Sequence, residues 1–529
     1  MGERTVRDAT RELLRELGMT TVFGNPGSTE IPFLTDWPDD FTYVLGLQES
    51  AVVAMADGYA QAARRPVLVN LHSAGGVGHG LGSVFNAYRN RTPMIVVAGQ
   101  QIRELLPHDP FLGATDAADF PKPYVKWSIE PASAEDVPAA IARAYQVATQ
   151  APQGPVFVSV PADDWDVLTF RSTITRPGIR GFAPDPESVA ELTAALEVAE
   201  RPALVVGGAI DQDGAVDEVV ALAERLNAGV WVAPMSYRCS FPEDHPLFLG
   251  FLQPERGAIS DALAAHDLVV VLGAPAFTYH VDRGRNDAPV PPLFLISDDE
   301  QLLARAHEGT GIRATPKLAL RALLADVAPA TRRAPDPLVR LPKPEATTPL
   351  GADFVYATLA DLLKDNALVV EETPSHRNIL HDHLPITATD TGFLTMASGC
   401  LGYGIPAAVG AAIARPDRKV VAVVGDGSSM YGIQALWTAA RENLPVTFVI
   451  LDNSQYAALK VLGEAIGGAK LPGTELGGID FAALARGMGC QAATVSEAGD
   501  LGAVLAEAFA DPRPTLVHVR VDGASKGLY

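Results

Sequence analysis

The chain has 529 residues, of which 48% are hydrophobic and 20% are charged, and its formal net charge is −22. This composition excludes a disordered chain and fits a protein with a large apolar core, and the length predicts about three domains. The strong negative charge argues against nucleic acid or an anionic membrane surface as a partner.

The first 17 residues, MGERTVRDATRELLREL, predict a charged amphipathic helix and not a secretory signal. No apolar run approaches the roughly 18 residues that a membrane-spanning helix needs. The three cysteines have no spacing typical of a zinc site or a disulfide framework; they are Cys239, Cys400 and Cys490. We therefore expect a cytoplasmic protein that does not enter the membrane.

Short apolar runs alternate with helical patterns along the whole chain. Continuous apolar strands followed by helices are typical of parallel sheets that are covered on both faces. The predicted strands are 67–71, 93–99, 155–160, 202–208, 229–234, 267–273, 419–425, 445–451 and 515–521. The pattern predicts the α/β class, with doubly wound parallel sheets.

Two segments interrupt this pattern. Residues 171–188 show no periodicity, and residues 326–350 contain six prolines, a composition typical of an extended linker between domains. We therefore predict three domains, which cover residues 1–170, 188–326 and 350–529. The first and third of these domains are candidates for a shared topology.

The richest glycine stretch is SAGGVGHGLGS, residues 73–83. Its glycines do not have the G-x-G-x-x-G spacing of a dinucleotide-binding turn, and the chain contains no G-x-x-x-x-G-K-[ST] phosphate loop. These absences argue against a nicotinamide-dependent dehydrogenase and against a P-loop nucleotidase.

An acidic residue lies between two glycines where one predicted strand ends, at Asp426. The next predicted strand is followed by Asn453, and the carboxyl ends of parallel strands lie at the same edge of a sheet. Carboxylate and amide oxygens are ligands for Mg²⁺ or Ca²⁺, and a cation lets Asp426 share the site with a phosphate. Gly-Asp-Gly alone is also typical of a tight turn with a capping acid, but Asn453 favours the metal site.

These residues resemble a known family. Residues 425–427 and Asn453 resemble the thiamin diphosphate motif GDG…NN, with Asp452 in place of the first asparagine. The chain resembles the thiamin diphosphate-dependent 2-oxo acid decarboxylases, and among them the benzoylformate decarboxylases, in the stretches TVFGNPGSTEIPFL (21–34), LQESAVVAMADGYAQA (47–62), NLHSAGGVG (70–78) and DFPKPYVKWS (119–128).

The resemblance implies a pyrimidine-binding, a central and a diphosphate-binding domain in chain order. It implies thiamin diphosphate and Mg²⁺ (or Ca²⁺) as cofactors and the non-oxidative decarboxylation of a 2-oxo acid to an aldehyde and CO₂. Because this family builds each site from two subunits, the resemblance also implies a homodimer as the minimum active unit and a homotetramer as the usual assembly.

The resemblance implies four catalytic residues. Glu49 would bond the N1′ atom of the cofactor's aminopyrimidine, although an acid at the start of a predicted helix is also explained by the helix dipole. His72 and His280 would transfer protons, and Ser28 would bond the substrate carboxylate. His79, His108 and His376 have no counterpart in the family and are interpreted as structural.

The resemblance also implies the cofactor and metal contacts, with Leu401 as the apolar residue that keeps the cofactor bent. The cofactor-binding residues would be Thr373, Gly399, Leu401, Gly427, Ser428, Asn453, Tyr456 and Ala457. The metal ligands would be Asp426, Asn453 and Gln455.

The predicted substrate pocket departs from the family. Thr395 and Leu462 stand where the benzoylformate enzymes carry phenylalanines, while Phe111 and Leu112 are candidates to supply apolar surface from the first domain. Arg377 is a candidate partner for a substrate carboxylate, or else lies on a solvated helix face. An aliphatic or acidic 2-oxo acid is therefore an alternative substrate.

Two other functions remain open from the sequence. A carboligase of the acetolactate-synthase type would use the same cofactor, but such enzymes tend to lack the pair of His72 and His280, and many bind FAD in the central domain. A catalytically silent subunit would keep the fold, but its expected signs, the loss of Glu49 or Asp426, are absent.

Overall fold

The computed structural model describes residues 4–171, 173, 175–178, 181–280, 282–468 and 470–523. These residues form three α/β units in chain order, each built on a six-stranded parallel sheet. The predicted fold class is therefore confirmed. The segment 171–188 and the first residues of the predicted N-terminal helix lie partly outside the described residues.

The first unit has its sheet in the order β3-β2-β4-β5-β7-β6, and a short antiparallel pair, β1 with β8, forms a separate two-stranded sheet. Its strands are β1 (Arg4–Thr5), β2 (Thr21–Gly24), β3 (Thr42–Leu45), β4 (Val67–Leu71), β5 (Met94–Gln100), β6 (Ser128–Ile129), β7 (Val156–Pro161) and β8 (Leu168–Thr169). Its α-helices are α1 (Val6–Glu16), α2 (Ile31–Leu34), α3 (Glu49–Ala63), α4 (Ser73–Arg89) and α5 (Val137–Thr149).

The central unit has the strand order β11-β10-β9-β12-β13-β14. Its strands are β9 (Pro202–Val206), β10 (Gly229–Val232), β11 (Phe248–Phe251), β12 (Leu268–Leu272), β13 (Leu293–Ser297) and β14 (Thr310–Arg313). Its helices are α6 (Pro186–Val198), α7 (Ala209–Gln212), α8 (Val216–Leu226), α9 (Arg256–Leu263), α10 (Glu300–Ala304) and α11 (Pro316–Asp326).

The third unit has the strand order β16-β15-β17-β18-β20-β19. Its strands are β15 (Leu368–Glu372), β16 (Phe393–Thr395), β17 (Val420–Gly425), β18 (Val446–Asp452), β19 (Gln491–Val495) and β20 (Thr515–Arg520). Its helices are α12 (Ala352–Leu362), α13 (Arg377–His383), α14 (Gly404–Ala414), α15 (Asp426–Ser429), α16 (Ala435–Arg441), α17 (Ala457–Ala465), α18 (Phe481–Gly487) and α19 (Ala498–Ala510).

The six main strands of the first and third units follow the same order when each set is counted from its own first strand, which confirms their shared topology. The two units also share one apolar core, in which strands and helices of both take part. The central unit has apolar cores of its own on the two faces of its sheet.

Helices α3 and α14 cross at close range and join the first unit to the third. A Cβ atom on Gly58 would lie 2.1 Å from the Ala407 carbonyl oxygen, and one on Gly410 would lie 1.8 Å from the Met55 carbonyl oxygen. Both distances are shorter than any non-bonded contact allows, so the helices meet backbone to backbone only because both positions are glycine.

A buried carboxylate connects all three units. Asp211 of the central unit pairs with Arg64 of the first unit at 2.6 Å and with Arg238 at 2.5 Å. Its Oδ1 atom also accepts the backbone N–H of Thr391 in the third unit. Asp211 and Arg238 are almost fully buried, and such pairs are costly to break because one charge is left without a partner.

Residues 327–349 contain no helix or strand, as their prolines predict. The segment nevertheless lies against folded units: Arg340 donates to the His381 carbonyl oxygen at 2.7 Å and lies over the Phe248 ring. Among the helices of the described residues, none has the length and hydropathy of a membrane span.

Candidate active site

Most of the predicted catalytic, cofactor and metal residues lie in two groups, at the carboxyl edges of the sheets of the first and third units. We call the first-unit cluster the set Asn25, Ser28, Glu30, Glu49, His72 and His79, and the third-unit cluster the set Thr373, His376, Asp426, Asp452, Asn453, Gln455 and Tyr456. His280 belongs to the central unit, where it is exposed and its backbone N–H donates to the Pro254 carbonyl oxygen at 2.8 Å.

Glu49 is the first residue of helix α3, directly after Gln48, whose side chain caps the helix by accepting the Ala51 N–H. Its carboxylate is nearly buried, and each oxygen has one side-chain partner. Asn25 donates to Oε1 at 3.3 Å, and His79 Nδ1 lies 3.2 Å from Oε2. A carboxylate held in this way at a helix N-terminus is oriented and keeps hydrogen-bonding capacity for a ligand.

His72 follows strand β4 and is held by Glu30, a buried carboxylate that the sequence analysis missed. Glu30 Oε2 lies 2.9 Å from His72 Nδ1, and its Oε1 accepts the Gly99 N–H at 3.0 Å. A hydrogen bond at Nδ1 leaves Nε2 as the nitrogen that can exchange a proton with a ligand. The signal in the sequence was the acid in GNPGSTE, directly after Ser28 and Thr29.

Ser28 begins the short 3₁₀ turn that carries Glu30, and Ser28 itself is exposed. The turn contacts His72, which is distant in sequence, through Glu30. The approach is close because Gly27 has no side chain: a Cβ atom there would lie 2.2 Å from His72 Nδ1. The structure therefore brings Ser28, Glu49 and His72 to one edge of the first sheet.

Asp426 is the central residue of the third-unit cluster. Its Oδ1 accepts the Gly427 N–H at 2.8 Å, whereas Oδ2 is buried without a hydrogen-bond partner among the described residues. Burial and the neighbouring Asp452 carboxylate raise the pKa of Asp426 to about 7. A buried carboxylate oxygen without a partner fits a divalent cation, which would supply the missing countercharge.

Asp452, which replaces an asparagine of the family motif, pairs with His518 of strand β20 at 2.8 Å. Burial opposes the ionisation of Asp452, but hydrogen bonds from His518 and Ser454 outweigh it and lower its pKa. The acid at this position is therefore accommodated by a histidine on the adjacent strand, another residue that sequence reasoning missed.

Asn453 and Gln455 lie in the loop after strand β18. Asn453 Oδ1 accepts the Gln455 N–H at 3.2 Å, and Asn453 Nδ2 lies 3.4 Å from His376 Nε2. Burial lowers the pKa of His376 to about 4, so this histidine is neutral. The Gln455 side chain donates to the Gly523 carbonyl oxygen at 2.9 Å, which leaves the Gln455 main-chain carbonyl as its candidate metal ligand.

The residues around Asp426 are closely packed. A Cβ atom on Gly427 would lie 2.3 Å from the Tyr456 ring, and Ser428 and Ala457 are buried at the starts of helices α15 and α17. Among the described residues no group of three His, Cys, Asp or Glu side chains is arranged for a metal. A cation here therefore needs amide and carbonyl oxygens besides Asp426.

Two consecutive buried glutamates end strand β15. Glu372 accepts the N–H groups of Gly402 and Gly404, both at 2.6 Å, and burial raises its pKa to about 8. It thereby holds the loop that contains Gly399 and the half-buried Leu401. Glu371 accepts the Thr373 hydroxyl at 2.7 Å and so orients this predicted cofactor contact.

Two residues predicted for the substrate pocket have polar partners within the chain. Thr395 has no exposed surface, and its hydroxyl donates to Glu371 Oε2 at 2.8 Å. Arg377 lies neither free for a substrate carboxylate nor on a solvated face. Its guanidinium donates to the Ser236 carbonyl oxygen at 3.0 Å and lies 3.6 Å from Glu371 Oε2.

The remaining pocket candidates lie apart from Thr395. Phe111 is 86% exposed in the loop after strand β5, and the carbonyl of Leu112 accepts the Ser73 hydroxyl at 2.6 Å. Leu462 lies half-buried in helix α17 of the third unit. Among the described residues no hydrogen bond or ion pair joins the first-unit cluster to the third-unit cluster.

Comparison with protein families gives three consecutive matches. Residues 4–120 match the N-terminal TPP binding domain of thiamine pyrophosphate enzymes, residues 189–323 match their central domain, and residues 373–519 match their C-terminal TPP binding domain. Each match falls within one of the three units, and the first match ends before strands β6 and β7 of the first unit.

Full-length similarity is found as well. The chain is 41% identical to benzoylformate decarboxylase of Pseudomonas aeruginosa over 98% of each chain. The crystal structure of benzoylformate decarboxylase from Polynucleobacter necessarius is 39% identical, with a TM-score of 0.97 over 99% of this chain and 100% of that one. A 4-hydroxybenzoylformate decarboxylase of Rhodococcus jostii RHA1 is 39% identical, with a TM-score of 0.95 over 99% and 100% of the two chains.

These matches confirm the resemblance that the motifs predicted, and they account for the whole described fold. The chain belongs to the thiamin diphosphate-dependent 2-oxo acid decarboxylase family of the thiamine pyrophosphate enzymes.

Proposed function

We propose that this protein decarboxylates an aryl 2-oxo acid of the benzoylformate type to an aldehyde and CO₂. The observation that carries the proposal is the placement of Glu49 beside His72. A Cβ atom on Gly76 would lie 3.5 Å from Glu49 Oε1 and 3.4 Å from His72 Cβ, so a carboxylate and an imidazole flank the same turn of helix α4. An acid and a base at one edge suit a reaction with several proton transfers.

In the proposed site, Glu49 bonds N1′ of the aminopyrimidine and holds a proton there. His72, fixed at Nδ1 by Glu30, moves a proton at Nε2, and His280 is the second histidine in this role. Ser28 binds the substrate carboxylate. When bound, thiamin diphosphate supplies a nucleophilic carbon and accepts the electron pair that CO₂ leaves behind.

Asp426, Asn453 and the main-chain carbonyl of Gln455 are proposed to hold Mg²⁺ or Ca²⁺. The unpartnered Oδ2 of Asp426 supports this assignment. The diphosphate and pyrimidine contacts are proposed for Thr373, Gly399, Leu401, Gly427, Ser428, Tyr456 and Ala457.

We also propose that two subunits complete each site, because the two clusters of one chain have no bond between them. A homodimer is then the minimum active unit, with a homotetramer as the usual assembly. The proposed domain bounds stay at 1–170, 188–326 and 350–529. The three free cysteines and the charge of −22 support a cytoplasmic enzyme that binds small molecules, without a nucleic-acid or membrane partner.

The state of Arg377 supports an aryl substrate over an acidic one. A second substrate carboxylate would need a cation that is free to bind it, but Arg377 is already bonded to Ser236 and close to Glu371. Aliphatic 2-oxo acids remain the alternative that a substrate panel must test.

A carboligase with a flavin is the second candidate. One observation favours it: a cavity of about 490 Å³ lies at the carboxyl ends of the central strands, beside Gly207, Gly208 and Gly273. A yellow purified protein with a flavin spectrum would support that function, whereas a colourless active protein would argue against it.

The test measures CO₂ release from a panel of 2-oxo acids, with and without thiamin diphosphate and Mg²⁺. We expect phenylglyoxylate to be the fastest substrate and Glu49→Gln to lose most of the activity. A leading aliphatic or acidic substrate would refute the aryl assignment. Release that does not need the cofactor, or full activity of Glu49→Gln, would refute the mechanism.

A further inference from the structure

The glycine-rich stretch 73–83, which matches no nucleotide motif, forms the first turns of helix α4. A Cβ atom on Gly76 would lie 3.5 Å from Glu49 Oε1, and one on Gly80 would lie 3.3 Å from Val53 Cγ2. Helix α4 therefore packs against the start of helix α3 along this glycine-rich face. His79 is the histidine of this stretch, and the packing places it next to the carboxylate of Glu49.

The contact is specific. His79 Nδ1 lies 3.2 Å from Glu49 Oε2, while Asn25 occupies Oε1 at 3.3 Å. Within the single chain the His79 side chain is 69% exposed and that of Glu49 is 12% exposed, so the imidazole lies on the open side of an enclosed carboxylate. The other titratable groups at this edge, His72 and Glu30, are bonded to each other.

Two states of His79 have different effects on Glu49. A neutral imidazole with its hydrogen on Nδ1 donates to Oε2 and orients the carboxylate. A protonated imidazole places a positive charge beside that oxygen, which favours the ionised carboxylate and attracts it away from other partners. Histidine changes between these states near neutral pH.

We propose that His79 is a positioning residue for Glu49 and makes the binding of thiamin diphosphate depend on the protonation state of its imidazole. This inference rests on the proposed function, in which Glu49 bonds the aminopyrimidine. A protonated His79 competes with the ring for the carboxylate, so the cofactor is bound less tightly in that state.

The test uses the full-length protein freed of cofactor. The Kd of thiamin diphosphate is measured at pH 8 and pH 6, with saturating Mg²⁺, for the wild type and for His79→Asn, which keeps a neutral donor. The diphosphate and Asp426 titrate in both proteins, so the ratio of the two Kd values is compared. We expect the wild-type ratio to exceed that of His79→Asn by about three- to tenfold.

His307→Asn, at an exposed histidine of the central unit, is the matched control and should keep the wild-type ratio. Equal ratios for the wild type and His79→Asn would overturn the proposal. His79→Gln carries the same expectation and replaces His79→Asn if the latter does not fold.

A double-mutant cycle with Glu49→Gln tests whether His79 acts through Glu49. In that background His79→Asn should change the ratio less than twofold, and an undiminished effect would overturn the proposal. Because binding is measured without turnover, a protein that shows the coupling but releases no CO₂ would refute the decarboxylase function alone. A protein that binds no thiamin diphosphate would refute both.

Discussion

Glu30 Oε2 lies 2.9 Å from His72 Nδ1, and the same buried carboxylate accepts the backbone N–H groups of Gly27 at 2.8 Å and Gly99 at 3.0 Å. One side chain thus connects the turn after strand β2, the end of strand β5 and the imidazole after strand β4. The orientation of His72 is set by this buried group and not by solvent.

We expect Glu30→Gln to lower kcat about 10- to 100-fold, because an amide does not fix the His72 tautomer as a carboxylate does. The loss should be smaller than that of His72→Ala, for which about 10²–10⁴-fold is expected. Steady-state kinetics with the best 2-oxo acid measure both. Glu104→Gln, at an exposed acid of the same unit, is the control, and an unchanged kcat in Glu30→Gln would contradict the positioning role.

We expect Asp426 to make the proposed cation binding depend on pH. Its pKa is raised to about 7 in the metal-free protein, and a cation binds the deprotonated carboxylate, so affinity is full above pH 7 and falls as pH drops below it. The loss should approach about tenfold per pH unit. Titration of the apoprotein with Mg²⁺ in the presence of thiamin diphosphate measures the effect.

Asp426→Asn should weaken the cation by at least tenfold and remove most of this pH dependence. Asp500→Asn, an exposed acid of the same unit, should leave both unchanged. Retention of wild-type Mg²⁺ affinity by Asp426→Asn would show that the cation is held elsewhere.

Among the buried carboxylates that join the units, we expect Asp211 to be the one whose removal lowers the free energy of unfolding most. Asp211→Asn leaves the buried Arg238 without its countercharge, and we expect a loss of about 3–5 kcal/mol. Asp390 also pairs with Arg64, but its side chain is 63% exposed, so Asp390→Asn should cost about 0–1 kcal/mol. Denaturant unfolding compares the two variants, and equal midpoints would contradict the role of Asp211.

A glycine-to-alanine substitution should have opposite effects on stability at the helix crossing and at an open helical position. Gly410→Ala places a Cβ atom 1.8 Å from the Met55 carbonyl oxygen and should destabilise the protein by about 1–3 kcal/mol or more. Gly499→Ala meets nothing within 4 Å in helix α19 and should stabilise it by about 0.5–1 kcal/mol. Thermal unfolding of both variants checks the sign, and a tolerated Gly410→Ala would show that the helices can separate.

Apolar runs predicted the interior strands well, because a strand covered on both faces reads as an uninterrupted apolar stretch. Strand β4 was predicted with its observed bounds, Val67–Leu71. Strand β15 was missed because its last two residues, Glu371 and Glu372, are acidic, and only the fold shows that hydrogen bonds from neighbouring loops satisfy them.

The sequence predicted those candidate site residues that a motif places within a few positions of a strand end. The partners that come from distant segments could not be predicted in this way. Helix α13 and the loop before strand β16 lie between Arg377 and Thr395, yet both residues lie at Glu371, and their common partner is visible only once β15 and β16 pair. Contacts of this kind depend on strand register, which local sequence does not specify.

Glu49 and the glycine crossing lie on the same helix, α3. A change in the angle at which α3 crosses α14 would therefore move Glu49, with the crossing point as the pivot. Glu49 begins helix α3 nine residues before Gly58, so at 1.5 Å per residue it lies about 13 Å from the pivot. A tilt of about 5° at the glycines would move Glu49 by about 1 Å, and a displacement of that size can cost a reaction about 10²-fold. A substitution that changes the angle of this crossing should therefore lower the reaction rate, although it lies about 13 Å from Glu49.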